Sequence, residues 1–328
     1  MLRRWIIFTS LLLAAAAVPL AAAGLRSYPA SSRSFDRGAN GLWVGHRWYT
    51  GREVRANEDV SPTEIEPLVA RLRSSGIRFL FVHVGPLRSD GSIEDTAGPL
   101  FASLRNAYPE GVVLAWLGAR IENVRLGEAD WRQAATSQIE RLAAEGFDGV
   151  HFNLEPLRDG HAGYLELLAE VRARLGDDWI ISQATPRSAP LGLAMGLLRR
   201  SFWSGGFYRA TMDIADQTVI MAYETGLPIE IGYVAFVRDQ TRRLVEWACA
   251  ARRHEILIGL PSYHDQPTTA GIENIANAAS GVRSALESLS EANREADCFR
   301  GVAIYANWVT DADEWQQLDE FWRRPAAN

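Results

Sequence analysis

Short apolar runs alternate along the chain with segments whose apolar residues recur every three or four positions. The runs are GLWVGH (41–46), RFLFVHV (78–84), VVLAWLG (112–118), GVHFNLE (149–155), WIISQAT (179–185), TVIMAYE (218–224), ILIGLP (256–261) and GVAIYANW (301–308). Their length and their bounding turn residues predict eight buried strands. Helical faces lie between them. Ile65, Leu68, Val69 and Leu72 follow Ser61-Pro62-Thr63-Glu64, a capping box with proline at the first helical position. Trp131, Ala135, Ile139 and Leu142 form a second face, and Trp315, Leu318 and Trp322 a last one. Strand and helix alternating eight times predict an α/β fold, a single-domain (β/α)8 TIM barrel over 41–325. A doubly wound open sheet is the alternative, but no G-x-G-x-x-G turn follows the first strand.

Ahead of the barrel, Arg3 and Arg4 precede an apolar run from Trp5 to Leu20 and then Ala21-Ala22-Ala23. This is a signal-peptide pattern over 1–23 and implies export, to the periplasm or beyond. The run is also close to the roughly 20 residues that span a bilayer, so an uncleaved N-terminal anchor with the barrel outside is the alternative. Residues 24–40 lack periodicity and read as a leader. Residues 188–215 exceed what one crossover helix needs and predict an extra helix or lid element near the barrel mouth.

Composition narrows the chemistry. All 34 basic residues are arginine, for the chain contains no lysine. Schiff-base, pyridoxal-phosphate, P-loop and lysine-dependent acyl-transfer chemistries are thereby excluded, since guanidinium cannot replace the amine they need. The formal charge of −6, about −8 without the first two arginines, leaves no basic field for nucleic acid. Cys249 and Cys298 suit an oxidising compartment; bonded, they close a loop of about 50 residues worth about 4 kcal/mol, and two buried thiols are the other reading.

In a barrel, function sits at the C-terminal strand ends. On the fourth run the two-residue period puts His151, Asn153 and Glu155 on one face and Val150, Phe152 and Leu154 on the other. The apolar set packs on helices, which sends the polar set into the lumen, where it needs partners or a task. Glu155, at the strand end, is the candidate general acid. Aromatic residues near strand ends, among them Trp43, Trp48, Trp116, Tyr263, Tyr305 and Trp308, are candidates for stacking on sugar rings. His46, His83, His151 and His264 with Asp265 raise metal-dependent hydrolysis, but His46-Arg47-Trp48 breaks the H-x-H pair that amidohydrolase barrels use. No metal and no cofactor are expected. HExxH, G-x-S-x-G and paired C-x-x-C motifs are absent.

DGVHFNLE (148–155) resembles the fourth-strand signature of family 18 glycoside hydrolases, D-G-x-D-x-D-x-E, whose last glutamate is the catalytic acid. WLGA (116–119), MAYE (221–224), GLPSYH (259–264) and GVAIYA (301–306) resemble the third-, sixth-, seventh- and eighth-strand motifs of that family in order. His151 and Asn153 replace two aspartates. The pair Asn153-Leu154-Glu155 is instead similar to the N-x-E of family 85 endo-β-N-acetylglucosaminidases. Both resemblances imply substrate-assisted hydrolysis of β-linked N-acetylhexosamine glycans, in which the acetamido oxygen attacks the anomeric carbon. They assign Glu155, Asn153 and Tyr223 to catalysis. His151, Trp116, Tyr263, Tyr305, Trp308 and Gln183 become candidate substrate-binding residues, and the expected partner is a carbohydrate polymer or oligosaccharide. A glycan-binding barrel without turnover is the alternative. A two-carboxylate glycosidase is disfavoured, because strand seven ends in Pro261, Ser262 and Tyr263, and strand parity sends Glu224 toward the rim or the helices. Arg47, Arg88, Arg120, Arg158 and Arg187, just past strand ends, are the cations available to an acidic sugar. Oligomeric state is not legible.

Overall fold

The eight apolar runs become eight parallel strands: β1 Asn40–Val44, β2 Ile77–Pro86, β3 Val112–Arg120, β4 Gly149–Glu155, β5 Ile180–Thr185, β6 Gln217–Met221, β7 Glu255–Pro261 and β8 Phe299–Tyr305. Each pairs with its neighbour in chain order, and β8 pairs back onto β1 to close the barrel. The computed structural model describes residues 33–53, 58–189, 202–251, 253–262 and 271–324. A helix follows each strand: α1 Ile65–Ser74, α2 Pro99–Ala107, α3 Ala129–Ala144, α4 Ala162–Leu175, α5 Gly205–Met212, α6 Glu230–Ala250, α7 Ile275–Ser288 and α8 Ala312–Leu318. The chain therefore has the (β/α)8 fold, the connection that right-handed crossovers favour. Ahead of α1, Ser61 caps Thr63 N–H over a short 3-10 turn, so the Ser-Pro-Thr-Glu signal starts this helix through a tighter first turn.

Strand alternation sorts the side chains into two apolar layers. Val150, Phe152 and Leu154 of β4 join the layer between strands and helices. Trp43, Phe79, Phe81, Leu114, Trp116, Val219, Leu257 and Ala303 fill the lumen. At the entrance to β4, Asp148 accepts two hydrogen bonds from Arg105 of α2, at 2.9 and 3.0 Å, and one from Val113 N–H at 2.7 Å. Gly149 follows because a Cβ there would collide with the carbonyl oxygen of Ile180. The Asp-Gly pair thus sets the position of β4 between β3 and β5, and with it the height of the residues at its far end.

Four sequence expectations meet the structure here. Residues 1–32, holding the expected signal and most of the leader, lie outside the described residues; no described helix is long and apolar enough to cross a membrane. The last leader residues are not a free linker. Arg37 donates to the carbonyls of Ala296 and Arg294, and Asp36 accepts from Asn40 and Arg323, which staples the chain to the base of the barrel. Cys249, at the end of α6, and Cys298, just before β8, are disulfide-bonded. In the expected insertion, Arg187–Ser188 pairs with Phe202–Trp203, and Gln240 of α6 accepts from the backbone N–H and hydroxyl of Ser188 at 2.7 and 2.8 Å. The helix after that ladder is the crossover helix α5, and 190–201 lie outside the described residues.

Gly149→Ala is expected to cost about 1–3 kcal/mol or more, because β4 must move away from β5 or strain against it. A urea unfolding curve measures this, with a lower midpoint than the parent.

Candidate active site

The inward face of β4 carries His151, Asn153 and Glu155 at successive heights, and each has a different environment. His151 is fully buried in the lumen, with Phe81 stacked on its ring at 4.0 Å. Trp43 Nε1–H donates to His151 Nε2 at 3.2 Å. His151 Nδ1 lies 2.8 Å from Ser182 Oγ, which itself donates to Gln217 Oε1 at 2.8 Å. Because the Ser182 hydroxyl proton goes to Gln217, Ser182 accepts from Nδ1–H, and Nε2 is left as the acceptor for Trp43. The ring is therefore neutral, and burial alone pushes its pKa down to about 3. His151 supports the site from below and is out of reach of a ligand in the groove.

Asn153, one layer higher and partly accessible, pairs in register with Gly118 of β3. Its Oδ1 is buried with no hydrogen-bond partner among the described residues, and so is Trp116 Nε1 on the neighbouring strand. An unmatched buried acceptor costs about 1–3 kcal/mol, so it is retained at a folding cost.

Glu155 stands at the C-terminal end of β4, on the wall of a cavity of about 180 Å³. The residue keeps exposed surface toward the groove, yet protein crowds its carboxyl on most sides. This desolvation raises its pKa; the nearby Glu224 carboxylate raises it further, and the Arg187 guanidinium opposes both. Ala184, Met221, Tyr223, Glu224 and Arg187 share the cavity wall. Tyr223 is buried, with its ring 5.6 Å from that of Tyr305. Its place exists because residue 259 is glycine: a Cβ there would lie 2.9 Å from the Tyr223 ring. Tyr305 also packs edge-on against Trp43 at 5.5 Å and Trp308 at 5.7 Å. Trp308 is half exposed and lies parallel to the buried Trp116, with centroids 6.2 Å apart. The tertiary fold thus gathers Glu155, Asn153, Tyr223, Trp116, Tyr305 and Trp308 at one end of the barrel.

Other candidates fall elsewhere. Gln183 was expected to bind substrate, but it faces the helices. It accepts from Tyr164 Oη at 3.0 Å and donates to Thr211 and Thr218 at 2.9 Å each, in the closed layer outside the barrel. The reason is parity, since Gln183 pairs with outward Phe152. Trp48 is likewise buried in that outer layer. Tyr263, His264 and Asp265 lie outside the described residues. Arg47, Arg88 and Arg120 pair with Glu64, Glu94 and Glu122, whereas Arg187 lines the cavity. Glu224 is the residue that strand parity misplaced. Strand β6 ends at Met221, Ala222 N–H turns back to Ile220 O at 3.0 Å, and Glu224 has φ +54°, so alternation stops before it and its side chain reaches the cavity. No group of three metal-ligating side chains converges among the described residues.

No protein-family model and no curated protein matches the sequence. Solved structures do resemble it. The spore cortex-lytic enzyme SleL of Bacillus cereus superposes with a TM-score of 0.57 at 14% identity, over 89% of this chain and 75% of that one. A family GH18 chitinase from Chromobacterium violaceum gives 0.54 at 14% identity, over 86% and 84%. A chitinase from Rhizomucor miehei gives 0.53 at 12% identity, over 85% and 98%. At these identities the likeness is one of fold: the chain has the closed barrel of family 18 chitinases.

Three imidazoles, buried at His151 and His254 and partly buried at His83, make stability depend on pH. Burial lowers His151 to about 3 and His83 and His254 to about 4, whereas an unfolded histidine titrates near 6.5. Between those values the unfolded chain binds more protons, so stability rises with pH there. The contribution is complete above pH 6.5 and is lost as pH falls toward 4 and then 3. Urea midpoints measured from pH 7 to 4 are expected to fall steadily; midpoints that stay level would contradict neutral buried histidines.

Proposed function

We propose that the protein is an exported glycoside hydrolase that cleaves β-linked N-acetylhexosamine glycans, of chitin, peptidoglycan or N-glycan type, by substrate-assisted catalysis. The observation that carries this reading is the juxtaposition on one strand end of Glu155 and Asn153. One is a carboxyl with a raised pKa in a cavity; the other is an amide oxygen without a partner among the described residues. An acetamido N–H in the groove supplies the donor that Asn153 Oδ1 lacks. Held in this way, the acetamido carbonyl oxygen attacks the anomeric carbon as Glu155 passes its proton to the departing glycosidic oxygen. Water, deprotonated by the Glu155 carboxylate, then opens the cyclic intermediate. Tyr223 orients the acetamide from the chain just past β6, and Tyr305, Trp308 and Trp116 offer ring faces to the sugar. No step calls for a cofactor. The fold shared with chitinases and a cortex-lytic enzyme supports the same reading.

A glycan-binding barrel without turnover is the second reading. It is favoured by one feature: neither inward residue before Glu155 on this strand carries a carboxylate, and His151 is committed to internal hydrogen bonds.

Glu155→Gln is expected to lower kcat on chito-oligosaccharide, peptidoglycan glycan strands or N-glycan by about 10³-fold while leaving binding in place. Binding without turnover in both parent and variant would establish the second reading. Because the Glu155 pKa is raised, the acid form persists above the usual glutamate range. Activity is therefore expected to decline only as pH rises through that raised value, which a kcat/KM profile reads directly.

A further inference from the structure

At Gly149 and Gly259 a Cβ would collide with the backbone of the next strand. Gly118, on the inward face of β3, is different. Its φ is not positive, and a Cβ added to it would meet no packing neighbour nearer than 3.7 Å. Neither backbone conformation nor crowding therefore calls for glycine, a residue that weakens a strand and suits places where a ligand approaches the backbone. What the missing side chain leaves is a notch in the barrel wall at the mouth, where Gly118 keeps surface open to solvent.

Polar atoms gather around that notch. From the position of the absent Cβ, Trp116 Nε1 lies at 3.7 Å, His83 Nε2 of β2 at 3.8 Å and the Asn153 carbonyl oxygen at 4.0 Å. Trp116 is only 8% exposed, and its Nε1–H, which can only donate, has no hydrogen-bond partner among the described residues. His83 packs edge-on against it at 4.7 Å. The charged and titratable groups facing His83 are His46, whose ring is 5.4 Å away, and Asp95, which pairs with His46 at 3.0 Å. Burial foremost, and then His46, push the His83 pKa down to about 4 against the pull of Asp95. At neutral pH the ring is therefore uncharged, and one of its nitrogens accepts. A fixed donor and an acceptor thus flank one small space, and a hydroxyl, which accepts and donates at once, is matched to both.

The Glu155 cavity lies at the ends of β4, β5 and β6, whereas Gly118 is in register with Asn153 on the β3 side. A sugar with its anomeric carbon at Glu155 and its acetamide at Asn153 turns the next ring carbon toward the notch. We propose that His83 and Trp116, across the space kept open by Gly118, recognise the free hydroxyl on that carbon, beside the acetamide and away from the cleaved bond. The proposal rests on the hydrolase reading for the orientation of the sugar. An ether at this position loses the bond donated to His83 and brings bulk into a space where a single Cβ already makes contact. The notch therefore selects an unsubstituted unit.

A binding comparison tests this without needing turnover. The probe is the thiazoline of N-acetylglucosamine, a mimic of the cyclic intermediate, beside its counterpart lacking that one hydroxyl. Calorimetry on the parent is expected to show the deoxy compound bound about tenfold more weakly. His83→Phe and Trp116→Phe are each expected to weaken the hydroxyl-bearing compound by about tenfold and to leave the deoxy compound within about twofold of the parent. Gly118→Ala fills the notch at ordinary contact distance, so its urea midpoint is expected at or above that of the parent while its preference for the hydroxyl disappears. Equal binding of both thiazolines by the parent, or a preference that survives Gly118→Ala, overturns the proposal even where the chain hydrolyses glycan. Equal weakening of both compounds by the phenylalanine variants does the same. A preference that all three substitutions abolish, in a chain that turns over no glycan, upholds the notch and refutes hydrolysis instead.

Discussion

Closure of the eight parallel strands is the constraint on which the remaining structure depends. A closed barrel has an inside, and the two-residue period sends every second side chain into it, away from water and away from the helices. Most strands meet this demand with apolar residues, so that Trp43, Phe81, Leu114, Val219 and Leu257 pack the lumen. On β4 the inward positions are polar, and each must find a partner or remain unmatched. His151 finds two in Trp43 and Ser182. Asn153 Oδ1 finds none among the described residues, and Glu155 escapes to the mouth. The site is the point at which that polar column emerges from the barrel.

Charge follows the same geometry. The deep lumen holds a neutral hydrogen-bond chain from Trp43 through His151 and Ser182 to Gln217, in keeping with the high cost of an unpaired ion there. Ionisable groups gather at the barrel mouth, where Glu155, Glu224 and Arg187 share a cavity partly open to solvent. That position gives a carboxyl enough desolvation to raise its pKa and enough access to exchange its proton with solvent. The aromatic rings of Tyr223, Tyr305 and Trp308 close the site laterally, so its polarity is concentrated on the acid and the amide.

The barrel was legible in the sequence because its signal is repeated. Eight runs and their intervening helical faces agree with one another, and local agreement over a whole chain is the surest kind of pattern evidence. Glu155 and Asn153 were legible for a related reason: β4 is regular to its last residue, so parity holds through to the site. Where regularity ends, parity misleads. Glu224 lies three residues beyond the end of β6 in a left-handed conformation, and counting alternate residues sent it to the wrong side. Gln183 shows the opposite error. It sits on a regular strand but on its outer face, and its polar side chain suggested a ligand where it in fact serves Tyr164, Thr211 and Thr218.

By itself, then, the sequence determined the alternation of elements, the exclusion of amine chemistry by its lack of lysine, and the position of a carboxyl at the end of the fourth strand. These follow from local periodicity and residue chemistry, which act over a few neighbouring positions. Only the tertiary structure decided which groups meet. Arg187 and Glu224 come from different strand ends, and their shared cavity with Glu155 arises because closure brings β4, β5 and β6 side by side and the chain after β6 turns back. The tautomer of His151 was also decided there, since it depends on Trp43, 108 positions away in the chain, and on Ser182, 31 positions away. A linear pattern records what each residue can do; the partner that makes it do so is set by packing across the barrel.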